Sequence, residues 1–113
     1  MANRNQRYLD AIESLASSGV HVMKVTGQSM KPKIQSGSVL SFQKTDDYQK
    51  GDVVFCLVGS RYIDAHLITK VADDGRFMIS NNHGHDNGWT RKIFGRVVKV
   101  NGESFGRSVE RSD

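Results

Sequence analysis

The sequence has few of the residues that staple or segment a chain. Of 113 residues, one is cysteine and one is proline. Cys56 alone cannot close an internal disulfide. Its setting in "VVFCLV" predicts a buried structural thiol, and a chain without a disulfide framework is expected in the reducing cytoplasm. No stretch approaches the roughly 18 to 20 consecutive apolar residues that cross a bilayer, and the opening "MANRNQRYLD" has no apolar signal core. The chain is therefore expected to be soluble, with no transmembrane segment. Internal repeats, low-complexity tracts and linkers are absent as well, which favours one domain. Charge of one sign is also scarce. The formal net charge of +4 comes from 16 Lys and Arg against 12 Asp and Glu, spread along the chain. That is a faint electrostatic footprint, so no nucleic-acid partner is expected.

What is present fits a turn-rich soluble domain with a single core. "NQRYLDAIESLASSG" sets Tyr8, Leu9, Ile12, Leu15 and Ala16 along one stripe at helical spacing, and Gly19 follows as a stop. The polar face of this helix is not rich in lysine and arginine, so docking on the domain's own core is expected rather than binding to a membrane surface. After it come six strand-like segments, "HVMKVT", "SVLSFQK", "DVVFCLV", "RYIDAHLITKV", "RFMIS" and "KIFGRVVKV", separated by turn signals that include "QSG", "VGS", "DDG" and "DNG". The expected fold is mostly β: one antiparallel β domain with a short N-terminal helix. The expected boundaries are an amphipathic helix over 1–19, the β domain over 20–105 and a polar tail over 106–113.

Within "VTGQSMKPKIQSGSVL" a serine, Ser29, lies between a strand-like segment and the only proline, Pro32. A serine hydroxyl is a weak nucleophile, so a catalytic one needs a base to take its proton and donors to hold the oxyanion. The histidines are His21, His66, His83 and His85. His66 differs from the others in sitting inside a long strand pattern. Alternation puts Asp64, His66 and Ile68 on one face and Ile63, Ala65 and Leu67 on the other. Both faces are mixed, so periodicity alone leaves open which one is buried. Lys70 is the competing base, four residues further along the strand, about 13 Å away at roughly 3.3 Å per residue unless a bulge intervenes.

Four short motifs in order resemble the serine peptidases that group LexA-type self-cleaving repressors with type I signal peptidases. "VTGQSMKP" is similar to their nucleophile box, "KGDVVF" to a following strand, "IDAHLITKV" to the segment that carries the base, and "IFGRVVKV" to the closing Gly-Arg-Val strand. Most bacterial members carry lysine where this chain has His66. Histidine there resembles the archaeal and endoplasmic-reticulum signal peptidases, whose next motif is Gly-Asp-Asn-Asn with an Asp a few residues on. In "ISNNHGHDNG", Asn81 and Asn82 match the paired asparagines and Asp86 falls at the place of that Asp.

The resemblance implies a soluble Ser-His(-Asp) endopeptidase. Ser29 would be the nucleophile, His66 the base and Asp86 the carboxylate behind the ring, with the backbone N–H groups of Gln28 and Ser29 as oxyanion donors. Gly27 would allow the sharp turn into the nucleophile. The implied partner is a protein or peptide substrate bound as an extended strand, and a homodimer is an open option. The chain departs from the family pattern in having Ser38 and Ser80 where acids are usual, and Leu67 where arginine often follows the base. The departures keep a second reading open, a peptidase-fold protein-binding module without turnover. A third is a metal site built from His83, His85 and Asp86 with His66. Cofactors and metals are not expected, and a chelator separates that third reading from the first.

Overall fold

The computed structural model describes residues 5–27 and 30–106. Helix α1 spans Gln6–Ser18, and Gly19 closes it in the left-handed region (φ 81°) with its N–H donating to the Leu15 carbonyl at 2.9 Å. Ala11 and Leu15 are buried, with Tyr8 and Ile12 packed beside them. Leu9 and Ala16, which the stripe included, are exposed. The buried set follows i, i+3, i+4, i+7, which is the one face a straight helix can lay on a sheet.

Eight strands follow among the described residues: β1 Val20–Lys24, β2 Val39–Gln43, β3 Val53–Val58, β4 Arg61–Val71, β5 Phe77–Ser80, β6 Asp86–Thr90, β7 Lys92–Val100 and β8 Glu103–Ser104. They form one antiparallel sheet in the order β1-β2-β7-β3-β4-β5-β6, with β8 added on β7. The fold is thus the mostly antiparallel β class with a single helix. Two strands exceed the six-strand expectation. The "DNG" read as a turn opens β6, because pairing with β5 and a 2.6 Å hydrogen bond from the Thr90 hydroxyl to the Leu57 carbonyl outweigh the poor strand propensity of Asn and Gly.

The bond from Thr90 to Leu57 brings the last strand of the order back against β3, so the sheet encloses β3 on both sides. Residues 53–56 are all buried. Phe55 belongs to a core under α1 with Leu15, Leu40, Phe42 and Val97, whereas Val54 and Cys56 belong to a second core with Ile63, Ile68 and Ile79. A strand buried on both faces reads as a continuous apolar run. Burial pushes the Cys56 thiol up to about 12, so it stays protonated and inert, the structural thiol its neighbours predict. Gly95 sets how closely the helix packs: a Cβ there would lie 3.1 Å from Leu15 Cδ2 and 3.4 Å from the Gln43 carbonyl oxygen.

Candidate active site

The site is built on an irregularity in β4. Val54 pairs with His66 but Cys56 pairs with Ile63, so Phe55 faces two residues of β4, Asp64 and Ala65. A bulge of this kind leaves its extra residue out of the ladder and re-aims the side chains beside it. Its effect here is that Ile63 and Ala65, which strict alternation puts on one face, enter opposite cores. It also delivers the Ala65 carbonyl to His66 Nδ1 at 2.7 Å. A carbonyl only accepts, so Nδ1 carries the proton and Nε2 keeps its lone pair. Burial holds the imidazole below its ordinary value near 6.5. The Ala65 carbonyl and Asp64 oppose that shift, while Arg61 and His85 add to it. At neutral pH His66 is an uncharged base with a fixed tautomer.

His66 lines a small open cleft of about 40 Å³. Asp64 and Ala65 flank it on the β4 side, Thr26 and Gly27 face it, and Met30 and Ile34 are buried at its base. Gly27 has φ 107°, a conformation favouring glycine, and its N–H donates to the Ser36 hydroxyl at 3.1 Å. The loop that follows is closed at its neck by Val25 N–H to the Ser38 carbonyl at 2.9 Å and Gly37 N–H to the Val25 carbonyl at 2.8 Å. Ser29 and Gln28, the expected nucleophile and oxyanion residues, lie outside the described residues.

Asp86 is not brought to the His66 ring. It is exposed at the start of β6, and its Oδ1 accepts the Ser80 hydroxyl at 2.6 Å. The Ala65 carbonyl holds the place behind the ring where a carboxylate was expected. The physical reason is local: the bulge supplies a backbone acceptor one residue away, whereas β6 pairs with β5 and its first residue is drawn to Ser80. Ser80 is itself buried and shares a 2.9 Å hydrogen bond with the Thr69 hydroxyl. A hydroxyl at that position needs far less compensation than a buried carboxylate. Lys70 is exposed beyond a further irregularity in β4 and does not line the cleft.

The paired asparagines do structural work. Asn81 Oδ1 accepts the backbone N–H groups of His83 (2.8 Å) and His85 (3.0 Å), which shapes the β5–β6 turn. Asn82 Nδ2 donates to the Lys31 carbonyl at 3.0 Å and so ties that turn to the loop after Gly27. Among the described residues no three His, Cys, Asp or Glu side chains converge as a metal site. Asp64 was not singled out from the sequence, yet it lines the cleft and accepts the Tyr8 hydroxyl at 2.9 Å and Arg7 Nη1 at 3.2 Å. The one available signal was its spacing of two from His66, and the bulge that gives this spacing meaning is invisible in sequence.

A family model described as Peptidase S24-like matches residues 1–102. The chain belongs to the Peptidase S24-like family. This membership agrees with the LexA-type and signal-peptidase superfamily that the four motifs resemble. No curated protein matches the chain. Among the described residues of this S24-like chain, no helix is long and apolar enough to cross a membrane.

Proposed function

We propose that the protein is a serine endopeptidase in which Ser29 is the nucleophile and His66 the general base. The observation that carries this reading is the state of His66: half-buried and neutral, its Nδ1–H committed to the Ala65 carbonyl, its ring in the cleft that Gly27 faces. An extended peptide lying between Thr26–Gly27 and the β4 bulge presents its carbonyl carbon to Ser29 Oγ. As the C–O bond forms, Nε2 takes the hydroxyl proton, and the negative charge moves to the substrate oxygen, held by the Gln28 and Ser29 N–H groups. Collapse of this adduct breaks the C–N bond, and the imidazolium gives its proton to the leaving amine. Water then attacks the acyl-enzyme, Nε2 takes its proton, and that proton returns to Ser29 as the acid leaves.

Orientation of the imidazole by a backbone carbonyl makes a separate acid unnecessary for the tautomer. Asp86 enters this reading as the acceptor that fastens β6 to Ser80, not as a catalytic group. The test is covalent labelling with a fluorophosphonate, followed by peptide mapping. Labelling confined to Ser29, lost in His66→Ala and unaffected by a chelator, supports the reading. Absence of labelling in the folded wild-type protein sinks it and turns the reading to a protein-binding module on a peptidase fold.

A further inference from the structure

We infer that Arg7 is a positioning residue, a clamp from helix α1 that holds the two walls of the cleft in register. The inference rests on the Ser29–His66 reading for its link to turnover. Arg7 Nη2 donates to the Lys24 carbonyl at 2.6 Å, and Nη1 to Asp64 Oδ2 at 3.2 Å. Lys24 ends β1 three residues before Gly27, and Asp64 sits in the bulge two residues before His66. One guanidinium therefore bridges the strand that leads into the nucleophile loop and the strand that presents the base.

An exposed arginine–carboxylate pair alone contributes little to stability. Four further contacts distinguish this one. The second carboxylate oxygen, Oδ1, accepts the Tyr8 hydroxyl at 2.9 Å. The Tyr8 ring is stacked on Phe55 (5.7 Å) and Tyr62 (5.4 Å), so that donor is anchored in the core under α1. The Arg7 guanidinium in turn lies 4.8 Å from the centre of the Tyr8 ring. The planar fork of arginine spans two acceptors at fixed angles, which a lysine ammonium cannot do. The clamp accordingly acts on geometry more than on stability.

The charged groups bearing on His66 are Asp64 and Arg61 of β4 and His85 of the β5–β6 turn, with Arg7 and Tyr8 acting on Asp64 from α1. Asp64 raises the His66 pKa. Removing the Arg7 charge leaves that carboxylate less compensated, so His66 should titrate higher in Arg7→Met and unchanged in Arg7→Lys.

The experiment compares fluorophosphonate labelling rates of wild type, Arg7→Met, Arg7→Lys and His66→Ala, alongside the His66 ring titration followed by NMR and amide exchange at Thr26 and Ala65. The expected result is labelling slowed about tenfold or more in Arg7→Met, since sub-ångström misplacement of reacting groups is costly. Arg7→Lys should stay slow while its His66 titration matches wild type, and both variants should keep the wild-type melting transition. Labelling of Arg7→Met within about twofold of wild type, or full recovery in Arg7→Lys, overturns the clamp and leaves the Ser29–His66 reading intact. If wild type does not label, or His66→Ala labels as fast, the peptidase reading fails by itself. The clamp is then decided by the titration and exchange, and unchanged values in Arg7→Met overturn it.

Discussion

The β4 bulge and the β5–β6 turn both carry histidine next to an acid, Asp64 with His66 and His85 with Asp86, yet they offer different chemistry. At the bulge the ring is half-buried, its tautomer is set by a backbone carbonyl, and its acid is held by two residues of α1. At the turn His83, His85 and Asp86 are exposed, and the backbone there is shaped by Asn81. A histidine becomes a usable base through burial and a committed second nitrogen, not through proximity to an acid in sequence.

The sharpest way to break this contrast is to exchange the roles. His66→Gln should lower Ser29 labelling by about a thousandfold, within the range for loss of a general base, while His85→Ala should stay within about twofold. Equal losses would remove the distinction between the two regions. The next largest effect lies beneath the bulge. Phe55, fully buried among the rings of Phe42, Phe94, Tyr8 and Tyr62, should cost about 3–5 kcal/mol when cut to alanine. Exposed Trp89, which contacts Arg76, should cost under about 1 kcal/mol when cut to alanine. Denaturant titration of the two variants compares them directly.

A pH series sharpens the comparison further. Only neutral imidazole accepts the serine proton, so labelling should rise with pH through a transition below 6.5 and be level above it. Stability follows the same sign. The folded pKa of His66 lies below the unfolded one, so on acidification the unfolded chain binds the proton first. The contribution is complete above 6.5 and lost as pH falls through the folded value, and His66→Gln should flatten that part of the stability curve. A transition above 6.5 would contradict a buried, carbonyl-oriented ring.

Smaller effects are expected around the turn. Asn82→Ala removes its hydrogen bond to the Lys31 carbonyl, worth about 1 kcal/mol, and should slow labelling about fivefold. Asp86→Asn should change the rate by less than about threefold, because the Ala65 carbonyl already sets the tautomer. A loss of several hundredfold would restore Asp86 as the group behind the ring.

Much of the architecture was legible because it depends on local pattern. β-branched segments between turn residues marked six of the strands, and the stop at Gly19 marked the end of α1. The ordered motifs around Gly27, Asp52, His66 and Gly95 pointed to the family, and three of these residues, Gly27, Asp52 and Gly95, occupy positions that tolerate few alternatives. Gly27 lies at positive φ, Asp52 is buried and accepts the Gln49 N–H at 2.8 Å, and Gly95 lies under Leu15. β6 was not legible, because Asp, Asn and Gly form strand only where a neighbouring ladder imposes it.

The residue types available for chemistry, a serine after a glycine and a histidine in a strand, are properties of the chain alone. Their environment is not. Which face of β4 is buried, which nitrogen of His66 is free and which acid lies beside it follow from one extra residue in the bulge and from a helix more than 50 residues earlier in the chain, whose Arg7 and Tyr8 reach Asp64 with |i−j| of 57 and 56. Alternation is a local rule, and a bulge reverses it without any change of composition. Burial and hydrogen-bond partners belong to pairs of residues brought together by folding, so they were decided by the tertiary structure.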